Sequence, residues 1–261
     1  RDYYASRGLG DVYKRQVWAK GRFRGEQMLY HSERIYGIDI SKYQHVYKRR
    51  VYGIDWGNLR ITRLGHTADR NALGAVDYPV SFVYIKSTEG LTVFNPYYTQ
   101  DVRAARRYGF PVGAYHFFST RPAMSQADYF LKKSRLQKGD LPPMLDVELS
   151  DRRIAAMGGR DVLFREMLVW LKEIGRRSGT TPIIYVSQDF VNRYMPFAPE
   201  ELKAYPVWVA RYGEYKPYVH LLYWQLSPDG RVRGIQGDVD IDVFNGSEEQ
   251  FKRYLRTQTV K

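Results

Sequence analysis

The chain has no cysteine among its 261 residues, and only five residues are histidine. The first absence excludes a disulfide scaffold and a thiol nucleophile, although it leaves the cellular compartment open. The scarcity of histidine weakens any case for a metal centre, because imidazole is the commonest metal ligand in proteins. We therefore expect neither a metal site nor a cofactor.

Long hydrophobic runs are also missing, since no stretch approaches the roughly 20 apolar residues of a membrane-spanning helix. Acidic residues are in the minority, 28 against 41 Lys and Arg, which gives a formal net charge of +13. This excess favours an anionic partner such as nucleic acid, a membrane face or a cell wall. The charge is diffuse, however, and no zinc-ligand spacing, basic zipper or RNA-binding aromatic signature accompanies it. Nucleic acid is therefore not an expected partner.

The first 35 residues show neither a helical nor a strand period, and the chain begins with Arg rather than Met. We interpret residues 1–35 as a poorly structured or non-native leader, with which an export signal could have been lost. Beyond it, no internal repeat and no low-complexity linker divides the chain. Residues 36–261 are therefore predicted to form a single domain.

From residue 36 onward, short apolar strands alternate with polar turns and longer helical stretches. Eight strands are predicted, at 36–41, 81–87, 111–118, 142–149, 182–187, 206–212, 221–227 and 235–244. Helices are predicted at 96–108, 122–137 and 161–177. The later connections contain Gly and Pro and are too short for full helices.

This order of elements predicts an α/β fold with a parallel sheet. Eight strands in about 225 residues suit an irregular (β/α)8-type, TIM-like barrel in which several helices of the second half are missing. The alternative is an open, doubly wound sheet. No Gly-rich phosphate loop follows any predicted strand, which argues against that alternative.

Four acidic residues interrupt apolar strands at or near the ends where a barrel gathers its loops: Asp39, Asp146, Glu148 and Asp240. In "LPPMLDVELS" (141–150) the alternation places two of these carboxylates on one face of a strand. A single acid in such a place is usually a cap or half of an ion pair. Four of them on three strands of one barrel suggest a shared function, because burying several carboxylates together is costly.

Crowded carboxylates raise one another's pKa, so that one group keeps its proton near neutral pH. A protonated carboxyl beside ionised ones suits glycoside hydrolysis, in which an acid protonates the leaving oxygen and anions stabilise an oxocarbenium-like centre. The same group suits proton abstraction. A divalent metal site is less well supported, because His116 is the only histidine on a predicted strand.

A series of short blocks occurs in a fixed order: "YGIDISKYQ", "IDW", "FVYIKSTEG", "VGAYHFF", "PPMLDVE", "PIIYVS", "VWVARY" and "YWQLSPDGRVRGIQGDVDIDVFNG". Together these blocks resemble the glycoside hydrolase family 25 lysozymes, the Chalaropsis-type N-acetylmuramidases, over about residues 36–247. The resemblance implies an irregular β/α barrel that cleaves the β-1,4 bond between N-acetylmuramic acid and N-acetylglucosamine in peptidoglycan. It also implies a secreted or cell-envelope location, with peptidoglycan glycan strands as partner; we expect a monomer.

By this resemblance, Glu148 matches the family's catalytic acid and Asp146 its partner in the D-x-E motif. Asp39 and Asp240 match the acids of the first and last strands. The segment at 45–53 is similar to an insertion, and Asp242 stands where the family often has Asn. Between Asp240 and Asp242 we favour the former. Direct attack by water, a covalent aspartyl intermediate and attack by the substrate's own acetamido group all stay open.

Five further residues lie on strands near the predicted mouth of the barrel and are candidates for substrate binding: Lys86, Tyr115, Tyr185, Trp208 and Gln225. Lys86 is expected either to pair with the lactyl carboxylate of muramic acid or to form an internal ion pair. The aromatic side chains are expected either to stack on sugar rings or to pack in the core.

Three other functions compete with a lysozyme. A chitinase-like hydrolase of acetamido sugars has a longer D-x-x-D-x-D-x-E run, of which the chain has only "DVE". A non-catalytic wall-binding barrel needs no buried proton donor, which the acid set suggests. A basic nucleic-acid binder has only the net charge in its favour.

Overall fold

The computed structural model describes residues 12–19, 22–30, 33–67, 70–71, 76–210 and 219–261. All eight predicted strands are present within this part of the chain, most of them shifted at their ends by a few residues. Positions 211 and 212 of the strand predicted at 206–212 lie outside the described residues. Their bounds are β1 Ile35–Ile40, β2 Val83–Glu89, β3 Val112–Phe117, β4 Met144–Val147, β5 Ile183–Ser187, β6 Pro206–Ala210, β7 His220–Arg233 and β8 Val239–Phe244.

The eight strands pair in chain order, and the last one pairs back with the first, which closes a barrel. Strands β1 to β7 run parallel to one another, as predicted. Strand β8 departs from the prediction, because it is antiparallel to both β7 and β1. The reason is the connection at 234–238, which is too short for the dozen or more residues that a parallel crossover needs.

Seven helices surround this barrel in the described residues. They are α1 Tyr98–Arg107, α2 Ala123–Ser134, α3 Asp151–Ala156, α4 Arg160–Ser178, α5 Gln188–Arg193, α6 Glu200–Lys203 and α7 Glu248–Thr257. The three predicted helices correspond to α1, α2 and α4. Helices α5 and α6, both in the β5–β6 connection, are short, as the spacing predicts, whereas α3 and α7 were not predicted. None of the described helices is long and apolar enough to cross a membrane.

The interior of the barrel is filled largely by aromatic rings. Phe82 and Tyr84 enter it from β2 and the residues just before it, and both rings need a glycine opposite them. A Cβ atom on Gly37 would lie 2.3 Å from the ring of Phe82, and one on Gly113 would lie 2.3 Å from the ring of Tyr84. The high aromatic content of the sequence is thus used in large part for packing inside the barrel.

Several short strands lie outside the barrel or extend its sheet. After β1, Val46–Tyr47 and Arg50–Val51 form a hairpin of two short antiparallel strands. Strand Arg60–Arg63 pairs with the end of β7 and with Tyr78–Pro79. The remaining short pairs join Val93–Phe94 to β2 and His66–Thr67 to Arg70–Asn71.

The segment interpreted as a leader contains two strands in the described residues, Val12–Ala19 and Arg22–Tyr30, which pair in antiparallel fashion. These two strands were not predicted, because the segment has no apolar period. Antiparallel strands pair through backbone hydrogen bonds, which do not require one. The pair forms a separate sheet from the barrel. The division into a leader and one catalytic domain stays a prediction.

Candidate active site

Two of the four predicted acids face each other across a strand pair at the mouth of the barrel. Asp39 on β1 and Asp240 on β8 are direct partners in the antiparallel register. Asp240 therefore reaches the mouth from the amino end of its strand, not from the carboxyl end as predicted. The reversal of β8 explains this, because it brings the start of β8 beside the end of β1.

The other two acids come from β4. Asp146 lies within the strand and is 7% exposed, and Glu148 follows the strand directly and is exposed. The charge of Glu148 acts on the carboxyls of Asp39, Asp146 and Asp240 and raises the pKa of each. The structure thus brings all four acids together in one cleft.

Two tyrosines lie among these acids. Each of the hydroxyls of Tyr115 and Tyr185 has its pKa raised well above its ordinary value, by burial first and then by all four carboxylates. The Tyr185 hydroxyl donates to Oε1 of Gln225 at 3.0 Å, and Nε2 of Gln225 lies 3.5 Å from Oδ2 of Asp39. Three of the residues predicted to bind substrate therefore form a polar layer under the acids.

Burial decides the protonation of the cluster. Burial, together with the charge of Glu148, raises the pKa of Asp39 to about 7, against hydrogen bonds from Gln225 and Tyr115. Burial and the charge of Asp39 raise the pKa of Asp240 to about 9. The pKa of Asp146 is raised well above its ordinary value by burial and by Glu148, and one of its oxygens, Oδ1, accepts no hydrogen bond. Several carboxyls of the cleft consequently keep their protons near neutral pH.

Glu148 differs from its neighbours because its side chain reaches the open mouth. Desolvation by the cleft raises its pKa above the ordinary value for Glu, and the nearby Lys86 ammonium opposes this rise. Lys86 itself donates to Oε2 of Glu89 at 2.7 Å and lies 4.4 Å from the centroid of the Phe117 ring. Of the two expectations for Lys86, the structure shows the internal ion pair.

Asp242 adds a fifth carboxyl one layer deeper in the barrel. It is completely buried, and neither of its oxygens accepts a hydrogen bond of normal geometry. Burial and the charges of Asp39 and Asp240 raise its pKa well above the ordinary value, although the nearby Trp208 indole opposes the rise. Its spacing of two residues from Asp240 predicts the shared inward face, but not this depth.

Trp208 requires a correction, because it is not placed to stack on a sugar ring. Its side chain is completely buried, and its ring packs against Tyr84 at 5.0 Å and Tyr223 at 4.8 Å between centroids. Side chains of β6 point alternately into and out of the barrel, and Trp208 points inward below the mouth. Trp208 therefore packs in the core, which was the second of the two expectations for the aromatic residues.

His116 lies outside the cleft. It is completely buried on the outer side of β3, where Nδ1 is 2.7 Å from the Thr88 hydroxyl and the ring stacks on Trp170. Burial lowers its pKa to about 4, so the ring is neutral. In the described part of the chain, no group of His, Asp and Glu side chains has the arrangement of a metal site.

The cleft therefore offers one exposed carboxyl with a raised pKa, Glu148, beside the half-buried Asp240, buried carboxyls and two phenol groups. Such an arrangement can deliver a proton to a leaving oxygen and can stabilise positive charge that develops on a bound sugar. It has no cysteine nucleophile.

Comparison with known proteins identifies relatives for the same region. The sequence model of the glycosyl hydrolases family 25 matches residues 38–235. The uncharacterized protein YegX of Escherichia coli O6:H1 is 33% identical over 225 residues, which cover 85% of this chain and 73% of YegX. Lysozyme M1 of Streptomyces globisporus is 29% identical over 229 residues, which cover 82% of this chain and 68% of that enzyme. The crystal structure of a bacterial lysozyme from Streptomyces coelicolor superposes with a TM-score of 0.67 at 26% identity, covering 84% of this chain and 96% of the lysozyme.

Proposed function

The chain belongs to glycosyl hydrolase family 25, and on this premise we propose that it is a lysozyme that cleaves peptidoglycan between N-acetylmuramic acid and N-acetylglucosamine. Relatives that carry a name for their activity are lysozymes and muramidases, which supports this substrate. The observation that carries the proposal is the convergence of Asp39, Asp146, Glu148 and Asp240 in one cleft, with Glu148 alone exposed at its mouth.

In this proposal Glu148 is the general acid and base. Its raised pKa keeps its proton available at a higher pH than an ordinary Glu would, and its exposure lets the carboxyl reach a glycosidic oxygen. It donates the proton to the leaving oxygen and then removes a proton from the water that attacks the anomeric carbon. A carboxyl that serves both roles in turn satisfies the proton balance of hydrolysis.

Asp146 is proposed to position the substrate. Its pKa is raised well above the ordinary value, so it carries a proton at neutral pH and can donate a hydrogen bond. The acceptors proposed for this hydrogen bond are the acetamido oxygen of the sugar and the carboxylate of Glu148 after proton transfer. Asp39, whose pKa of about 7 leaves it partly ionised at neutral pH, supplies negative charge beside the developing oxocarbenium centre and accepts a hydrogen bond from Tyr115. Asp240, whose pKa is raised to about 9, keeps its proton and can donate a hydrogen bond to the sugar.

The test compares wild-type protein with Glu148→Gln on purified peptidoglycan, and follows new reducing ends and turbidity. Loss of the donor is expected to lower kcat by about 10²- to 10⁴-fold, the usual worth of general acid–base catalysis. Glu249→Gln is the matched control, because Glu249 is exposed in the first turn of α7, away from the cleft. It is expected to retain full activity.

Three results would reject the proposal. Undiminished activity of Glu148→Gln would remove Glu148 from the chemistry. New reducing ends that carry N-acetylglucosamine in place of N-acetylmuramic acid would assign the enzyme to the other bond of the glycan strand. Binding of peptidoglycan without any cleavage by the wild type would favour the wall-binding barrel.

We further propose that the enzyme acts at the cell envelope or after secretion, as a monomer. The names of the relatives support the first point, since lysozymes and muramidases act on a wall that lies outside the membrane. The second rests on the cleft, whose four acids all come from a single chain.

A further inference from the structure

A basic hairpin stands at the mouth of the barrel, next to the acidic cleft. We define it as residues 42–51, which follow β1 and include most of the segment that is similar to an insertion. Four of its residues are exposed cations: Lys42, Lys48, Arg49 and Arg50. Within the described part of the chain, none of these four takes part in an ion pair.

The basic hairpin rests on the segment that leads into β8. Nε2 of Gln44 donates to the backbone carbonyl of Asp238 at 3.2 Å. The ring of Tyr47 covers Gly237, where an added Cβ atom would approach it to 2.8 Å. Both contacts lie two or three residues before Asp240. The basic hairpin is therefore a wall of the cleft on the side of Asp39 and Asp240.

The base of the basic hairpin is fixed by buried polar contacts. The ring of His45 is buried, with Nδ1 at 3.0 Å from the carbonyl of Tyr52 and Nε2 at 2.8 Å from a carboxylate oxygen of Asp101 on α1. The same ring stacks on Tyr97 at 4.0 Å. Such a base holds the exposed cations in place, which reduces the entropy lost when they bind a ligand.

The tip of the basic hairpin is occupied by residues that its backbone does not favour. The two-residue turn Lys48-Arg49 has φ values of 48° and 64°, the left-handed region that such a turn requires. Asn-Gly is the preferred pair there, because long side chains are strained in this conformation. Two cations at this strained position point to a function for their charge.

We propose that the basic hairpin binds the carboxylates of the peptide stems of peptidoglycan while the glycan strand occupies the cleft. This inference rests on the proposed function. The cleft is lined by carboxyls, and the nearby cation Lys86 is already paired with Glu89, so the cleft has little to offer a stem carboxylate, which is better placed over the rim. There, the four cations of the basic hairpin have no ion-pair partner, although Lys42 and Lys48 lie over tyrosine rings, and they are available to the stem carboxylates. Tyr43 and Val51, each 68% exposed, offer apolar contact to the stem.

The test variant is Lys48→Asn/Arg49→Gly, which removes two charges and installs the preferred turn pair. Because this change favours the hairpin fold, a loss of function cannot come from loss of the hairpin. The substrates are glycan strands with their stems and strands from which an amidase has removed the stems, both stripped of phosphate polymers. The measured quantity is the ratio of kcat/KM for stem-bearing strands to kcat/KM for stem-free strands.

Wild-type enzyme is expected to prefer stem-bearing strands, and the variant is expected to lose about 3- to 10-fold of this preference, because exposed ion pairs are individually weak. The loss should fall on KM and shrink at high salt. Arg253→Gln/Arg256→Gln makes the same change of charge on α7, which packs against Phe82 at the opposite end of the barrel, and should keep the preference.

An unchanged ratio in the test variant would overturn the inference, as would an equal loss on both substrates. A preference that appears only when phosphate polymers are left on the wall would also overturn it, and would assign the cations to phosphate. Absence of cleavage of either substrate by the wild type would reject the proposed function instead, so the two failures are distinguishable.

Discussion

At the scale of single residues, the cleft is defined by carboxyls that folding has moved out of water. Glu148 keeps contact with solvent, whereas Asp39, Asp146 and Asp242 are all less than 10% exposed. Burial is the first cause of the raised pKa at each of these three buried positions. The folded protein therefore keeps protonated carboxyls beside Glu148, the acid that can reach a substrate. As the pH rises, these buried carboxyls lower the free energy of unfolding.

Asp242→Asn is expected to stabilise the protein at neutral and alkaline pH. The folded state holds the pKa of Asp242 well above 3.8, so its favourable contribution is complete below pH 4 and is lost as pH rises toward the folded pKa. Asn carries no such dependence. The melting temperature should rise by roughly 4–8 °C at pH 8, for about 2 kcal/mol, and the gain should vanish near pH 4.

The control for this prediction is Asp161→Asn, because the side chain of Asp161 is 89% exposed. It should give no rise in melting temperature at pH 8. A gain for Asp242→Asn that is the same at pH 4 and pH 8 would show that protonation of Asp242 does not limit stability.

At the scale of elements, the site depends on how closely β1, β2 and β3 approach one another inside the barrel. The large rings of Phe82 and Tyr84 fit only because Gly37 and Gly113 face them. The outer side of the same strands packs on helices, where α4 buries Leu163, Met167 and Trp170 at helical spacing. The strands that hold the acids are therefore fixed from both faces.

Gly113→Ala is expected to destabilise the barrel by about 1–3 kcal/mol, the usual cost of overpacking. The added methyl group would lie 2.3 Å from Cε1 of Tyr84, and Tyr84 is fully buried and cannot move aside. Chemical denaturation measures the effect. Gly53→Ala is the matched control, since nothing lies within 4 Å of its added Cβ atom. Equal stability of the two variants would contradict this account of the interior.

At the scale of the whole molecule, a strongly positive chain carries a cleft that is lined by carboxyls. The net charge of +13 attracts the enzyme to an anionic wall over distances set by the ionic strength. Hydrolysis of insoluble peptidoglycan is therefore expected to slow by about 5- to 10-fold between roughly 20 and 200 mM salt. A neutral, soluble oligosaccharide of the same sugars is the control substrate. If its hydrolysis slows as much, salt acts on the chemistry and not on the encounter.

Much of the site followed from local patterns. Acids that interrupt apolar runs in "GIDIS", "PPMLDVE" and "DVDIDVF" made Asp39, Asp146 and Asp240 candidates, because such an interruption is visible from neighbouring residues alone. The order of strands and helices predicted the barrel, because alternating strands and helices favour a parallel sheet. Local patterns could not predict how deeply each inward residue is buried, because burial depends on which layer of the barrel the residue occupies. For that reason Trp208 was a candidate for sugar contact although it is completely buried.

The amino-acid sequence by itself determined eight strands, the helices that separate the earlier ones and the acids on their inner faces, because these depend on the periods of neighbouring residues. Only the tertiary structure decided that β8 runs antiparallel, that Asp240 enters the mouth from the start of its strand and that the basic hairpin stands beside it. It also decided the pKa values of the carboxyls, which depend on solvent and on charges that are distant in the chain. Pairing, depth and electrostatic coupling all join residues far apart in sequence, and folding alone brings them together.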